Sequence, residues 1–501
     1  MKKLIRLLSS RLFWSALLIV IQFVVLVGGL FIFSNNLYVL WISLALTFLT
    51  ALFVSTRDES PEYKNAWLLV LLVFPLAGGF LYLIFGNKKI GRKAVRKIIL
   101  TRDIGRYSEM EGQGAGLAGE ESRQMSYIHS VTGFAPWKGT AVRYYPFADE
   151  FLRDLVEDIR KAERFIFVEY FILAPGRFWD TVLEELRRKK EEGVDVRIIY
   201  DDLGSINVLP KNYARTLRSM GFKAYTFNPV AIHMNPRLNY RDHRKILNID
   251  GNVCYSGGLN LADEYINGKI RFGYWKDNAF RLSGSAVWNM TLMFLSVWKE
   301  LAKESVDYEA CRPSLVEKDD GYVQPFADSP FDDTAAAHNV YLQAITSARS
   351  YCWIVTPYLI LDSELVTALS IAAHSGVDVR IVCPHIPDKK TVHEVTKSNY
   401  QRLVREGVKV YEFTPGFIHS KTLVVDDRIA LVGTANLDFR SLFLHFELSV
   451  LFTGGSMVEE VRKDTLYAIA RGEEQELEDL DRISIARRLL RAFLGFFAPA
   501  F

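Results

Sequence analysis

The sequence has 501 residues, which is long enough for two or more compact units. Its 61 Lys and Arg against 58 Asp and Glu leave a formal net charge of +3, so bulk charge does not make it a nucleic-acid-coating protein. The 4 cysteines lack Cys-x-x-Cys spacing, which argues against a zinc site and a dense disulfide framework. We expect buried thiols, with one disulfide left open between Cys352 and Cys383, which both lie in predicted strands.

Three apolar runs lie near the start of the chain, over residues 12–33, 37–54 and 66–85. About 20 consecutive apolar residues cross a bilayer as a helix, so we predict that residues 1–90 form a multi-pass membrane region with two or three hydrophobic helices. Pro75 lies inside the third run, which therefore spans, bends or re-enters. A cleaved signal peptide fits poorly, because the first run is long and further apolar runs follow it directly.

Basic residues flank this region: Lys2, Lys3, Arg6 and Arg11 precede it, and Lys88, Lys89, Arg92, Lys93, Arg96 and Lys97 follow it. Positive charge favours the cytoplasmic side, which would place both flanks there, and three full crossings cannot satisfy that arrangement. Either the third run does not cross completely, or the short loop with Arg57 and Lys64 is the cytoplasmic one. We expect the rest of the chain on the cytoplasmic face.

The C-terminal tail, residues 471–501, ends in a segment that mixes arginines with large apolar residues. Within residues 483–501 these are Arg487, Arg488, Arg491, Leu489, Leu490, Phe493, Leu494, Phe496 and Phe497. The pattern predicts an amphipathic helix that lies either in the plane of a bilayer surface or against the protein's own core.

An internal repeat divides the remaining sequence into two halves. The hexapeptide Gly-Val-Asp-Val-Arg-Ile occurs at 193–198 and again at 376–381, each time after a helical pattern and running into an apolar strand. Strands that alternate with helices of this length predict parallel β-α-β units, and hence an α/β sheet in each half. The predicted units are a basic and Gly/Glu-rich linker at 91–135, a first half at 136–310, a connector at 311–330 and a second half at 331–470.

Both halves carry the pattern His-x-Lys-x4-Asp, followed by a glycine and an asparagine at fixed distances. The matching positions of the two copies are 176 residues apart throughout. A single copy would favour an ordinary buried histidine beside a solvated lysine, but two intact copies favour a functional site. The first copy consists of His243, Lys245, Asp250, Gly257 and Asn260, and the second of His419, Lys421, Asp426, Gly433 and Asn436.

The flanks of each copy predict a strand, on which a His and a Lys two residues apart point to the same face. Asp250 and Asp426 would stand at the strand ends, where each either holds a turn or pairs with a cation, and we count both with the histidines and lysines as catalytic candidates. If the halves face one another, two histidines, two lysines and two asparagines converge on one cleft that suits a phosphodiester. One imidazole would attack phosphorus, and the other would protonate the leaving alcohol. We predict no metal and no cofactor, because the carboxylates near the motifs are not grouped as a two-metal site requires.

The paired motif resembles that of the phospholipase D superfamily, over roughly residues 140–470. Further details resemble the bacterial cardiolipin synthase branch: the runs at 239–245, 257–260 and 263–265, and Thr356-Pro357-Tyr358. The resemblance implies an α/β fold of two pseudo-symmetric halves, each with a mixed β-sheet flanked by helices, preceded by N-terminal transmembrane helices. Members of this branch usually have two N-terminal spans, whereas this chain has three apolar runs.

The resemblance also implies roles for individual residues. His243 would be the nucleophile and His419 the acid that then becomes the base, or the reverse. Asp277 and Glu447 are similar to acidic positions that orient the opposing histidine. The residues expected to bind the substrate are Asn260, Asn436, Gly257, Gly258, Gly433 and Thr434.

The activity implied by this resemblance is transfer of a phosphatidyl group from one phosphatidylglycerol to another through a phosphohistidine, which releases glycerol and forms cardiolipin. The expected partners are phosphatidylglycerol and anionic lipid of the bacterial inner membrane, with no nucleic acid. One alternative is transfer to water or to another alcohol, and a second is a phosphodiester nuclease, which the apolar runs argue against. A non-catalytic scaffold would have at least one degraded motif, and both copies are intact.

Overall fold

The computed structural model describes residues 24, 28, 37–57, 59–75, 77–86, 106–108, 119–230, 239–332 and 334–498. The expectations for the first apolar run, for the basic residues on both flanks of the N-terminal region and for most of the predicted linker lie outside these residues.

The described N-terminal part is a pair of packed helices followed by a short third helix. Helix α1 is Leu37–Ser55, α2 is Pro61–Val73 and α3 is Ala77–Leu81, which continues into a π-helix at Tyr82–Gly86. The third apolar run is therefore interrupted, because Pro75 cannot donate the hydrogen bond that would continue α2. Within the described ranges, no helix is both long and apolar enough to cross a membrane.

The first half is built on a seven-stranded sheet of order β1-β8-β6-β5-β2-β3-β4. Strands β2, β3 and β4 are parallel, and the other neighbours pair antiparallel, so the sheet is mixed. The strands of this sheet are β1 Thr140–Tyr145, β2 Phe165–Tyr170, β3 Asp195–Asp201, β4 Lys223–Phe227, β5 Ile246–Ile249, β6 Val253–Gly257 and β8 Ala279–Gly284, and β7 Tyr274–Lys276 lies outside it. The helices from the linker onward are α4 Glu120–Thr132, α5 Ala148–Arg160, α6 Arg177–Glu191, α7 Asp202–Ser205, α8 Tyr213–Ser219 and α9 Val287–Ala302.

The second half is built on an eight-stranded sheet of order β17-β12-β11-β10-β14-β15-β16-β9. The strands of this sheet are β9 Tyr322–Asp328, β10 Tyr351–Val355, β11 Asp378–Pro384, β12 Lys409–Phe413, β14 Thr422–Val425, β15 Ile429–Gly433, β16 Glu447–Thr453 and β17 Gly472–Glu474, and β13 Gly416–Ile418 lies outside it. Its helices are α10 Ala336–Ser347, α11 Ser363–His374, α12 Lys390–Arg405, α13 Phe439–Phe443 and α14 Gly455–Ala470, and the tail adds α15 Leu477–Asp481 and α16 Ile485–Phe496.

The two sheets repeat one plan, which confirms the prediction of two α/β halves with mixed sheets and flanking helices. The chain order β2-β3-β5-β6-β8 of the first sheet corresponds to β10-β11-β14-β15-β16 of the second. The repeated hexapeptide covers the turn before β3 and β11 and the first residues of those strands. The strand that follows each His-x-Lys motif pairs antiparallel with the corresponding strand of its sheet, β5 with β2 and β14 with β10.

A shared hydrophobic core holds the halves together. Helix α9 is apolar on nearly every face and packs against β5 of the first sheet and β9 of the second. Phe280 of the first sheet meets Phe452 of the second with ring centroids 5.8 Å apart. The free cysteines Cys254, Cys311, Cys352 and Cys383 are all buried, so the disulfide left open between Cys352 and Cys383 is not formed.

Candidate active site

The two His-x-Lys motifs lie immediately before β5 and β14, at the ends of strands that point toward the boundary between the halves. Both histidines are 7% exposed, and both lysines are almost fully buried. His243 and Lys245 precede β5, and His419 and Lys421 precede β14. The buried setting makes every charge in the cleft depend on its neighbours.

His243 is held by a carboxylate from the other half. Its Nδ1 lies 3.0 Å from each oxygen of Glu447, the first residue of β16. The Thr434 hydroxyl donates a hydrogen bond to Glu447 Oε2, so the carboxylate is itself fixed. Because Nδ1 is engaged, Nε2 is the ring nitrogen left for chemistry on a substrate.

His419 has the reciprocal arrangement. Its Nδ1 lies 2.6 Å from Asp277 Oδ2, and Asp277 directly follows β7 of the first half. The Asp277 carboxylate also accepts a hydrogen bond of 2.8 Å from the Asn278 backbone N–H. The geometry thus brings together both histidines and both acids named from the sequence, each acid on the histidine of the opposite half.

Backbone hydrogen bonds between the halves hold each histidine next to the acid of the opposite half. The His243 N–H donates to the Phe446 carbonyl at 2.9 Å, and the His419 N–H donates to the Lys276 carbonyl at 2.7 Å. In addition, β7 pairs in parallel with β13, the strand that leads into His419. The histidines are therefore set by strand geometry as well as by their side chains.

The lysines lie beside the histidines on the same face. Lys245 Nζ donates to the His243 carbonyl at 2.6 Å. Lys421 Nζ donates to the His419 carbonyl and lies 2.8 Å from His419 Nδ1. Burial lowers the pKa of Lys245 to about 8 and that of Lys421 to about 7, so both retain charge most firmly below neutral pH.

Burial also keeps the free histidines neutral. It lowers the pKa of His243 to about 3 against the opposing effect of Glu447. It lowers the pKa of His419 to about 4, assisted by the Lys421 charge and opposed by Asp277. Burial would raise the pKa of Glu447, but contact with His243 holds it well below its usual range. A neutral imidazole beside an ionised carboxylate is the state that a nucleophile requires.

The small residues after each motif make room for the acids. A Cβ on Gly258 would overlap Asp277 Oδ1, so only glycine lets this carboxylate reach His419. Its counterpart in the second half is Thr434, whose hydroxyl binds the acid instead. A Cβ on Gly257 would lie 2.6 Å from the Ala279 Cα, and one on Gly433 would overlap the backbone of β16. These positions, which the sequence suggested for substrate binding, therefore shape the acids' surroundings.

The two asparagines differ in their surroundings. Asn260 Oδ1 accepts the Ile172 N–H at 3.0 Å, and its Nδ2 donates to the Tyr265 hydroxyl at 2.7 Å, so both groups already have protein partners. Asn436 Oδ1 is buried without a hydrogen-bond partner. Asn436 is therefore the better placed of the two to respond to a ligand.

Asp250 and Asp426 lie outside the cleft, contrary to the catalytic role suggested for them. Each stands at the far end of its motif strand, at φ 56° and φ 53° respectively, where it shapes a turn. Asp250 accepts three backbone N–H groups, those of residues 163–165, at 2.7–2.8 Å. Asp426 does the same for residues 349–351, each at 2.8 Å. Each aspartate thus anchors the start of the neighbouring strand, which agrees with the turn-holding alternative.

A third histidine, His445, was missed by the sequence reasoning. Its Nδ1 lies 3.7 Å from Glu447 Oε1, and both of its ring nitrogens are buried without a hydrogen-bond partner. Ligand atoms of His243, His445 and Glu447 lie within 4.8 Å of one another. His445 stands two residues before Glu447, in the bend that leads into β16, and this closeness in sequence was the available signal.

Comparisons with known proteins agree with this geometry. A family model described as "Cardiolipin synthase, PLD-like domain" matches residues 155–269 and 341–466, which contain the two motifs, and "Phospholipase_D-nuclease N-terminal" matches residues 39–87. A cardiolipin synthase of Halalkalibacterium halodurans is 33% identical, with 88% of this chain and 90% of the relative covered. The chain belongs to the cardiolipin synthase family. A member from Listeria monocytogenes is 35% identical, with 84% of this chain and 89% of the relative covered.

The fold also matches a solved structure. The crystal structure of a phosphatidylserine synthase from Haemophilus influenzae superimposes with a TM-score of 0.58 at 16% identity. The match covers 75% of this chain and 98% of that chain. Together with its family, the two-motif cleft makes this chain an enzyme of the phosphatidyltransferase class in the phospholipase D superfamily.

Proposed function

We propose that the enzyme synthesises cardiolipin from two molecules of phosphatidylglycerol. The observation that carries this proposal is the crosswise pair of histidine–carboxylate contacts, His243 with Glu447 and His419 with Asp277, in one buried cleft. Two imidazoles with separately fixed Nδ1 atoms supply one nucleophile and one proton carrier. The named relatives, cardiolipin synthases that align over most of the chain, support the choice of product.

In the first step, His243 Nε2 attacks the phosphorus of one phosphatidylglycerol. The P–O bond to the glycerol headgroup breaks, and a proton from His419 goes to the leaving alkoxide, so free glycerol departs. The lysine ammonium groups stabilise the charge that develops on the non-bridging oxygens. Because both free histidines are neutral at pH 7, the proton on His419 must be taken up as the anionic diester enters.

In the second step, a headgroup hydroxyl of another phosphatidylglycerol attacks the phosphohistidine. His419 now accepts the hydroxyl proton, the P–N bond to His243 breaks, and cardiolipin is released. His419 is then protonated as it was before the first step, and it releases this proton when the product leaves. Two phosphatidylglycerol molecules thus give one cardiolipin and one glycerol. The Glu447 contact orients His243 in both steps by holding its Nδ1.

We also propose that the enzyme acts at the bacterial inner membrane, as a multi-pass protein with its catalytic part on the cytoplasmic face. This placement is supported by the apolar run before residue 37, by the apolar helix α1 and by the match of residues 39–87 to the model described as "Phospholipase_D-nuclease N-terminal". Both substrates would then reach the cleft by lateral diffusion. Phosphatidylglycerol and other anionic lipids would be its partners, with no metal and no cofactor.

The test is to incubate the purified full-length protein with phosphatidylglycerol labelled in its headgroup and acyl chains. We expect labelled cardiolipin and glycerol in equal amounts, and neither product from the His243→Ala variant. Phosphatidic acid as the main lipid product would show that the enzyme hydrolyses phosphatidylglycerol and does not transfer its phosphatidyl group. Cleavage of a nucleic acid without turnover of phosphatidylglycerol would overturn the proposal.

A further inference from the structure

The C-terminal helix α16 carries its apolar side chains on the outside. Leu489 and Phe493 are 65% and 59% exposed on this face. The face is completed by the exposed residues Ile485, Leu490 and Phe496. A helix that packs on a soluble protein turns this face inward, so α16 has the opposite orientation.

The polar side of α16 faces the protein instead. Arg487 Nη2 lies 2.6 Å from Glu394 Oε1, and Arg491 Nε lies 2.9 Å from Glu394 Oε2. Hydrogen bonds from Arg487 and then Arg491 lower the pKa of Glu394 to about 2, so this carboxylate is ionised throughout the physiological range. Glu394 belongs to α12 of the second half. Ion pairs thus fix the helix to the catalytic part while its apolar face stays free.

This apolar face continues the surface of the N-terminal helices. Helix α16 contacts α2, whose Leu72 and Val73 are 77% and 57% exposed. Helix α1, which packs on α2, exposes further large apolar side chains and has no charged residue over its 19 positions. Glu62 Oε1 accepts the Ser363 N–H at 3.0 Å, which ties α2 to the second half.

Both apolar elements lie beside the catalytic cleft. Leu494 of α16 packs on a cluster that includes Ile360 and Phe439, and Phe439 begins α13 three residues after Asn436. Tyr63, at the start of α2, lies near Tyr240, which stands three residues before His243.

We propose that α16 rests in the surface of a lipid bilayer with its apolar face immersed, and that α1, α2 and α16 form one lipid-facing surface around the cleft. A bilayer fits better than a second copy or another protein, because α1 carries no charged residue, whereas a protein interface is bordered by a polar, solvent-accessible rim. The ion pairs to Glu394 give the immersed helix a fixed position relative to the motifs. This surface would hold the cleft at the depth of the lipid headgroups. The placement of α16 does not depend on the proposed function, but its effect on turnover does.

The experiment places an environment-sensitive fluorophore on α16 of the full chain in phosphatidylglycerol-containing vesicles. The labelled variant is Phe493→Cys, and the matched control is Ile371→Cys, which is also 59% exposed but lies on α11 of the catalytic part. The native cysteines are all buried, so labelling is selective. We expect lipids carrying a shallow nitroxide to quench the Phe493 probe several-fold more than the Ile371 probe. We expect aqueous iodide to quench the Ile371 probe several-fold more than the Phe493 probe.

Equal iodide quenching of both probes would overturn the proposal. So would a Phe493 probe that is shielded from iodide and nitroxide alike, since another part of the chain would then cover the face. Nitroxide quenching that disappears as the protein is concentrated in the vesicles would indicate contact with a second copy and would also refute a purely lipid-facing helix.

A second measurement tests the consequence for turnover. The double variant Leu489→Glu, Phe493→Glu should lose at least about tenfold of its activity on vesicle lipid, because two charges would enter the bilayer. Its cleavage of a small soluble phosphodiester should be unchanged, and Ile371→Glu should behave as wild type. Equal loss on both substrates would contradict the proposal. If the probe is immersed but cardiolipin does not form, the surface stands and only the proposed function fails.

Discussion

At the scale of single residues, the cleft divides its work between two histidines that depend on each other. We expect His243→Ala and His419→Ala each to lower kcat by a factor on the order of 10³ or more, because nucleophile and proton carrier act in one step. Turnover of labelled phosphatidylglycerol and a thermal unfolding curve for each variant measure the effect and check folding. Either variant with a tenth of the wild-type rate would refute a single shared site.

Gly258 offers a sharper test of how an acid positions its histidine. Gly258→Ala introduces one methyl group against Asp277 Oδ1, so the carboxylate must leave His419. We expect a fall in kcat of roughly 10²-fold with KM almost unchanged, because orientation is lost while binding is retained. Gly268→Ala is the control, since its nearest neighbour would lie at an ordinary 3.5 Å. Equal kinetics of the two variants would argue against this role for Gly258.

The buried lysines predict an alkaline limb in the rate. Their pKa values of about 8 for Lys245 and about 7 for Lys421 mean that each is charged below its pKa and neutral above it. A phosphodiester keeps its negative charge across this range, so loss of the lysine charges should make kcat/KM fall more steeply between about pH 7 and about pH 9 than the proton uptake by His419 alone requires. Bound anionic substrate favours the charged amines, so the limb of kcat should lie at higher pH. A kcat/KM that stays constant to pH 9 would contradict the assignment.

At the scale of elements, the two motif aspartates should affect stability more than catalysis. Asp250→Ala or Asp426→Ala leaves three backbone N–H groups without their carboxylate, and we expect each to lower the free energy of unfolding by about 2–4 kcal/mol. Urea unfolding measures this loss. Activity per folded molecule should stay within a few-fold of wild type, whereas Asp277→Ala should lose most activity with little change in stability. If Asp250→Ala lost as much activity as Asp277→Ala, Asp250 would have a catalytic role and not only a structural one.

The elements also show what the sequence could and could not predict. The strand beside each motif and the repeated sheet plan follow from local patterns, because alternation and turn residues act over a few positions. The contacts of Asp277 and Glu447 join residues 142 and 204 positions from their histidines, so only the family resemblance suggested them. His445 escaped notice because its position beside Glu447 matters only once β16 faces the cleft. The sequence predicted that α16 is amphipathic, but it could not predict which face is turned to the protein, because that depends on ion pairs with α12.

At the scale of the whole molecule, exchange between the halves explains why the two motifs form one site. Each half supplies a carboxylate and a carbonyl to the other's histidine, and α9 buries its side chains between both sheets. Neither half can therefore keep its histidine in place alone. Helix α16 packs on α12 of the second half and on α2, which packs on α1, so these contacts link the catalytic part to the proposed lipid-facing surface.

The choice between cardiolipin and phosphatidic acid as the product depends on the whole molecule. A phosphohistidine reacts with whichever hydroxyl is held in line, and water at about 55 M competes unless the lipid alcohol has a high effective concentration at the site. Attachment to a bilayer supplies that concentration, because donor and acceptor diffuse in the plane of the cleft. Deleting residues 1–90 should therefore shift turnover from cardiolipin and glycerol toward slow formation of phosphatidic acid, while cleavage of a soluble diester changes less. The ratio of the two lipid products, measured on vesicles for the truncated and the full-length enzyme, decides the matter. An unchanged ratio would make the N-terminal region a simple tether and would place acceptor choice inside the cleft, where Asn436 Oδ1 and the ring nitrogens of His445 are among the buried atoms without hydrogen-bond partners.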